Sequence, residues 1–436
     1  MKLRIVALLS FLLLNQQVFT QNGQTHALVN VNVFNGEPDY IKGMTILVET
    51  GKIKDIFKTG SRIIHDSINQ IDLSEHYVLP GLIDTHVHMG MKGLSDSAEA
   101  SRQEFRRWIY HGVTSVRDMG GDARALARED QLIQQGLQPG PDIYFSATVG
   151  SSDMIAKDMR LKGVTRGVGI EKAGYVIEAK ENLDAGQAVA KAIESGVSGL
   201  KFYAGVDAET IRMLTAEAHD NGLRSWAHFT VFPDRPIEVV KAGVDVVSHV
   251  WGAFWQDVDV DPSLKVPFTH TDFKDARAAA FPDDLSLLVP DSPELQELFQ
   301  LMVENEVIWD LTYVVPNPKT QELYKRYALA AAKAGVSFST GTDYFNDVGE
   351  RFPALYTQIE QLVSDGVLTP AQAITAATLN GAKAIGIEKD YGSVEAGKVA
   401  NLLILKNNPI EDISNIRQVL FTMKNGMIFN YTDYKN

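Results

Sequence analysis

Six side chains of types that suit metal ligation are spread along this chain: His86, His88, Lys201, His228, His249 and Asp343. The first two close the run Leu79-Pro80-Gly81-Leu82-Ile83-Asp84-Thr85-His86-Val87-His88, whose apolar part reads as a buried strand. Side chains alternate faces along a strand, so His86 and His88 point the same way. Two imidazoles side by side are costly as packing residues and well suited to one metal ion. Taken singly, the other four have plain explanations. A histidine at a strand end is commonly a satisfied polar residue, Lys201 could snorkel to solvent, and Asp343, after Gly341 and Thr342, could cap a helix. The chain has no cysteine, which excludes thiolate metal sites, disulfides and cysteine nucleophiles. Any metal is left to His, Asp, Glu or a modified Lys.

Positioning these groups falls to a long middle region in which apolar runs alternate with helical patterns. The runs lie at 81–88, 113–118, 142–149, 199–203, 224–228, 244–249, 307–313 and 336–343, with helical stretches at 185–195, 208–221, 292–305 and 321–335. Eight such runs predict an α/β fold of the (β/α)8 barrel type. An open doubly wound sheet is the other arrangement, weakened because no Gly-rich phosphate loop follows the first run. A barrel gathers the C-terminal ends of its strands around one opening, where all six candidates would converge from five strands. Tyr203 lies two residues past Lys201 and shares its face, near substrate or in barrel packing. Arg117 could bind a substrate carboxylate or pair with Asp118 or another acid. Trp251, Trp255 and Tyr313 could line an apolar pocket or simply fill the core. Residues 252–290, with Pro262, Pro267, Pro282 and Pro290, read as a long loop over the site or as a surface insertion.

The ends of the chain differ from its middle. Short strand-like pieces punctuated by Gly36, Gly43, Gly51 and Gly60 fill residues 26–78, and similar pieces recur at 400–405 and 419–431. Before them, Lys2, Arg4 and the apolar run 5–14 read as an export signal over residues 1–20, with Gln21 as the mature start. A buried N-terminal helix or an uncleaved anchor is the alternative. The localisation expected is periplasmic or extracellular. Loss of Lys2 and Arg4 would take the formal charge of the 436-residue chain from -14 to -16. So acidic a protein is a poor partner for nucleic acid or an anionic membrane; the partner expected is a small-molecule substrate. The oligomeric state is left open, a homo-oligomer included.

Further motifs follow in order: Gly112-Val113-Thr114-Ser115-Val116-Arg117-Asp118, Ser339-Thr340-Gly341-Thr342-Asp343, Ala376-Ala377-Thr378-Leu379-Asn380-Gly381-Ala382, and Gly392-Ser393-Val394-Glu395-Ala396-Gly397-Lys398. With the first run they span nearly the whole mature chain, which resembles the metal-dependent amidohydrolase superfamily and, within it, the imidazolonepropionase-like and prolidase-like branch. The resemblance implies a (β/α)8 barrel at 79–389 and a small β-sandwich built from 21–78 and 390–436. It implies two divalent ions, zinc foremost, with manganese or cobalt as alternatives. His86, His88 and Asp343 match the ligands of one ion, His228 and His249 those of the second, and Lys201 the N6-carboxylated lysine that bridges them. Carboxylation makes physical sense, because a free ammonium would repel both cations.

The activity implied is hydrolysis of an amide C–N bond by a hydroxide held between the ions. Asp343 would be the catalytic residue that takes up its proton and delivers it to the leaving amine. Dipeptides, among them those ending in proline, and N-acyl amino acids are the expected substrates; lactones and phosphotriesters suit the same kind of site. One-metal deaminases of the superfamily typically carry a glutamate three residues after the fifth-strand histidine and lack the bridging lysine. Here Val231 and Lys201 stand at those positions. A non-catalytic exported binding protein is a further reading, disfavoured by the complete ligand set. Phe229 and Val250-Trp251 depart from the glycine that commonly follows the fifth- and sixth-strand histidines more closely, and Asn401 stands where aspartate is usual.

Overall fold

The computed structural model describes residues 25–91, 98–257, 288–314, 317–343 and 350–435. The leader, residues 1–20, and most of the 252–290 stretch, namely 258–287, lie outside the described residues. The N-terminal strands are β1 (His26–Val33), β2 (Ile41–Glu49), β3 (Lys52–Lys58), β4 (Asn69–Asp72) and β5 (Tyr77–Pro80). The middle strands are β6 (Leu82–Val87), β7 (Val113–Asp118), β8 (Asp142–Ser151), β9 (Val176–Ala179), β10 (Gly199–Ala204), β11 (Arg224–His228), β12 (Val246–Ser248), β13 (Ile308–Asp310) and β14 (Ser337–Ser339). Last come β15 (Leu402–Leu405), β16 (Val419–Lys424) and β17 (Met427–Asn430).

The middle strands form the parallel sheet that the eight apolar runs predict, in the order β14-β13-β12-β11-β10-β8-β7-β6. β6 and β7 are buried at every residue, which is why they read as apolar runs with no alternation. The ends of the sheet meet. Thr85 N–H donates to Thr340 O at 2.9 Å and Asp343 N–H to His86 O at 2.8 Å, which closes the barrel and ties two of the candidate ligands into the seam. The short β9, which pairs with β8 outside this path, has no counterpart among the sequence-predicted runs.

Two glycines of the quoted motifs are fixed by close approach. A Cβ on Gly81 would sit 2.2 Å from Thr114 Oγ1, and one on Gly341 would sit 2.2 Å from Asp310 Oδ1. The motif 376–382 is structural: Ile83 N–H donates to Ala377 O, and Trp226 Nε1 and Arg117 Nη1 both donate to Ala384 O in the helix Leu379–Ile385. The motif 392–398 is structural too. Lys398 Nζ bonds Glu388 O, Tyr391 O and Ser393 Oγ, and the segment is stitched to Ile53 by two backbone bonds.

The chain ends build one separate mixed sheet, in the order β17-β16-β15-β5-β1-β2-β3 with β4 beside β1. Its own apolar cluster includes Leu28, Val31, Ile46, Val48, Leu402, Ile404 and Met423. The boundary falls slightly later than the expected residue 79. Leu79 and Pro80 pair with β15 in the terminal sheet, and the barrel begins at Leu82. No described helix is long and apolar enough to cross a membrane.

Candidate metal centre

Strand register sets the level of the site. His228 aligns with Ser248, Ser248 with Asp310 and Asp310 with Ser339, so the C-terminal ends of four neighbouring strands reach one height. His88 and His249 stand one residue past β6 and β12, and Asp343 follows β14 in the loop. His249 and Asp343 have positive φ, 75° and 57°, a conformation uncommon for such residues. Residues held there cluster at functional sites.

The six residues predicted from sequence converge. Potential ligand atoms of His86, His88 and Asp343 all lie within 4.8 Å of one another. His88 Nε2 is 3.0 Å and His86 Nε2 3.6 Å from Asp343 Oδ1, and His249 Nδ1 is 3.9 Å from Asp343 Oδ2. The rings continue inward, with His86 and His249 centroids 4.9 Å apart and His249 and His228 centroids 4.6 Å apart. Lys201, 1 % exposed, shares this interior, and its charge acts on His86, His228 and His249.

The charge states follow from burial. Burial lowers His86 to about 4, against the pull of Asp310, and holds His228 and His249 well below the usual range, so all three imidazoles are neutral and able to coordinate. Burial also lowers Lys201 to about 7, with Asp310 opposing and Arg117 assisting. For Asp343, burial acts upward but is outweighed by the hydrogen bond from His88 and the fields of His86 and His249, so it stays a carboxylate.

These groups fit a cation on two counts. Among the described residues, buried His86 Nε2 and Lys201 Nζ have no hydrogen-bond partner, an expensive condition for polar atoms with nothing to bind. The imidazoles are also oriented from behind. Asp310 Oδ2 accepts a hydrogen bond from His86 Nδ1–H at 2.7 Å, which leaves Nε2 facing the cluster, and Thr312 Oγ1 lies 2.9 Å from His249 Nδ1.

Asp310 and Thr312 escaped the sequence reading, although both sit in the seventh run, 307–313. Asp310 stays ionised because His86 and Arg117 outweigh its burial. Its place at the end of a barrel strand, level with His228, was the signal available. Asp84 was missed as well. It accepts from His86 N–H and from Thr342 N–H and Oγ1, and burial raises it to about 7.

The model of the amidohydrolase family matches residues 77–253 and 269–429. The chain belongs to the amidohydrolase family. It is therefore a hydrolase acting on carbon–nitrogen bonds, in a family that generally binds divalent metals. Among curated relatives, a 5-methylthioadenosine/S-adenosylhomocysteine deaminase of Moorella thermoacetica is 24% identical over 359 residues, 77% of this chain and 74% of that protein. An imidazolonepropionase of Flavobacterium johnsoniae is 41% identical over 61 residues, 14% of each chain. A solved Xaa-Pro dipeptidase with methionine in its active site superposes with TM-score 0.68 at 22% identity, covering 93% of this chain and 100% of that one.

In this amidohydrolase the four residues assigned to substrate divide two and two. Tyr203 and Trp251 are at the site: the Tyr203 ring lies 4.4 Å from His228, and Trp251 stacks on His249 at 5.6 Å. Arg117 and Tyr313 are not, and both assignments are corrected. Arg117 is fully buried beneath the ligands, donating to Thr85 O and to Asp310 Oδ2 and lying 4.7 Å over Trp226. The acid it pairs with is Asp310, not Asp118, and no edge is left for a substrate. Tyr313 turns its hydroxyl to Asp365 Oδ2 at 2.9 Å, and Trp255 packs in the core on Phe232.

Proposed function

We propose that this amidohydrolase is exported and cleaves the amide C–N bond of a small acylated amino acid or dipeptide, Xaa-Pro dipeptides included. It would use two divalent ions, zinc foremost. His86, His88 and Asp343 would hold one, His228 and His249 the other, and Lys201, as its N6-carboxylate, would bridge them. The observation that carries this reading is Lys201: an amine 1 % exposed, without a hydrogen-bond partner, among neutral imidazoles. A lysine lowered to about 7 is substantially unprotonated at neutral pH, the form that adds CO2. Carboxylation turns a misplaced cation into a two-oxygen anion where two cations need one.

When bound, such ions polarise the scissile carbonyl and acidify the attacking water. The chain's own groups do the rest. Asp343, anionic and with 41% of its side chain exposed, accepts the water's proton and returns it to the leaving nitrogen. His86 is kept in one tautomer by Asp310, and Trp251 provides an apolar wall beside His249. Tyr203 lies against His228 with its hydroxyl accepting from Arg160 Nη2.

A second reading, deamination, is favoured by the name of the Moorella relative. Against it, the position of the deaminases' glutamate holds Val231, fully buried in the apolar core. The test is turnover by zinc-loaded protein on a panel of dipeptides and N-acyl amino acids, with 5-methylthioadenosine alongside. Ammonia released from the nucleoside, with no amide cleaved, would establish deamination instead. N-terminal sequencing of protein from periplasmic and culture fractions tests export; a chain that keeps residues 1–20 and stays in the cells refutes it.

A further inference from the structure

Arg160 occupies a position that the metal chemistry does not explain. It lies in the short helix Met159–Val164, reached by the chain after β8. Its guanidinium is anchored on one side by the buried Asp158, with Nε 3.0 Å from Oδ1 and 3.1 Å from Oδ2, and Nη2 bonded as well. Nη2 also donates to the Tyr203 hydroxyl, and the guanidinium carbon lies 5.1 Å over the Tyr203 ring. Tyr203 in turn packs against His228, so one aromatic ring touches both Arg160 and a candidate ligand. Among the described residues no acceptor meets Nη1, and the side chain is 45% exposed. Asp158 fills the Nε/Nη2 edge and Tyr203 takes the second Nη2 proton, so Nη1 is left as a charge-assisted donor on a guanidinium of fixed orientation, which suits one oxygen of a carboxylate.

We propose that Arg160, buttressed by Asp158, binds a free carboxylate on the substrate and makes the enzyme selective for acyl amino acids over neutral amides. The proposal rests on the amide-hydrolase reading and deepens it. Asp158 does not abolish the attraction; it fixes the guanidinium, so that little side-chain freedom is lost when Nη1 donates to a carboxylate oxygen. Arg160 also occupies the Tyr203 oxygen as a donor. The phenolic proton is therefore directed away from the guanidinium and remains available to a substrate oxygen.

The test is equilibrium binding, to zinc-loaded protein carrying Asp343→Asn to stop turnover, of N-acetyl-L-phenylalanine and of its primary amide, which differ in the carboxylate alone. The carboxylate is expected to bind about 10- to 100-fold more tightly. Arg160→Gln should erase that preference, whereas Tyr203→Phe should weaken both probes and keep it. Should the glutamine variant fail to fold, Arg160→Lys should reduce the preference, because one ammonium on Asp158 cannot also present a donor where Nη1 stands. Equal binding of the two probes by protein with Arg160 intact overturns the proposal. So does a preference that survives Arg160→Gln or Arg160→Lys undiminished, which would place the carboxylate on the ions. Failure of the hydrolase reading would show separately, as an absence of amide turnover in zinc-loaded protein with Asp343 intact.

Discussion

Lys201 and Lys424 are both 1 % exposed, and the chain treats them in opposite ways. Lys424, on β16, makes a 2.8 Å ion pair with Asp142 at the first residue of β8, where the terminal sheet meets the foot of the barrel. Asn401 completes the arrangement by donating to Asp142 Oδ2 and accepting from Asn425 N–H. Lys201, inside the barrel, has no ion pair and no hydrogen bond among the described residues, and only the fields of Asp310 and Asp343 reach it. A buried charge with a partner is a structural joint; a buried amine without one is a site under-supplied by the protein and completed by something else. The contrast separates the two ends of the barrel: the foot is self-sufficient, the mouth is not.

The largest effect that would sharpen this contrast lies at the mouth. Asp343→Asn should lower kcat about 10^3-fold, within the range for loss of a general acid–base, with little change in Tm. A comparable loss of Tm would make Asp343 a structural residue. Next come the two lysines. Lys424→Met leaves Asp142 buried and unpaired and should cost about 3–5 kcal/mol in denaturant unfolding. Lys201→Met should instead raise the Tm of metal-free protein, since it removes an unpartnered amine. If both substitutions destabilise alike, the distinction between joint and site is lost.

A smaller effect is in pH. The folded value of Lys201, about 7, lies below its ordinary 10.5, so between those limits the unfolded chain binds more protons than the folded one. Stability of metal-free, CO2-free protein should therefore rise from pH 7 to pH 9, and Lys201→Met should flatten that rise. An unsloped Tm in the parent protein over this window would contradict the assignment. The smallest effects are at individual hydrogen bonds. Asn401→Ala gives up the bonds to Asp142 and from Asn425 N–H and should cost about 1–2 kcal/mol, and Tyr313→Phe, which gives up the bond to Asp365, about 1 kcal/mol. Both should leave kcat/KM unchanged; a drop with Tyr313→Phe would return that residue to the site.

The candidate ligands were legible in the sequence because each lies in the C-terminal part of a strand or just past it, and strand ends are what a barrel brings together. The groups behind them were not. Asp310 reaches His86 across more than two hundred residues of chain, and only the register of β12, β13 and β14 shows that it is level with the site. Of the two readings of Arg117, an ion pair with an acid holds and the substrate contact does not; that the acid is Asp310, and that both are buried, is a tertiary fact. Arg160 lies on a six-residue helix with no periodic pattern to announce it. The sheet from the chain ends was foreseen from short strands and glycines, but its boundary within Leu79-Pro80-Gly81 depends on pairing with β15.

The central claim is that Lys201 becomes a bridging anion between two ions. It is tested most directly by counting metal per chain in protein loaded with zinc in the presence of 13C-bicarbonate, while recording the carbonyl carbon spectrum. The account predicts two ions per chain and a lysine carbamate resonance, with both the resonance and one ion lost in Lys201→Ala. One ion per chain with no carbamate, in the parent protein, would contradict it.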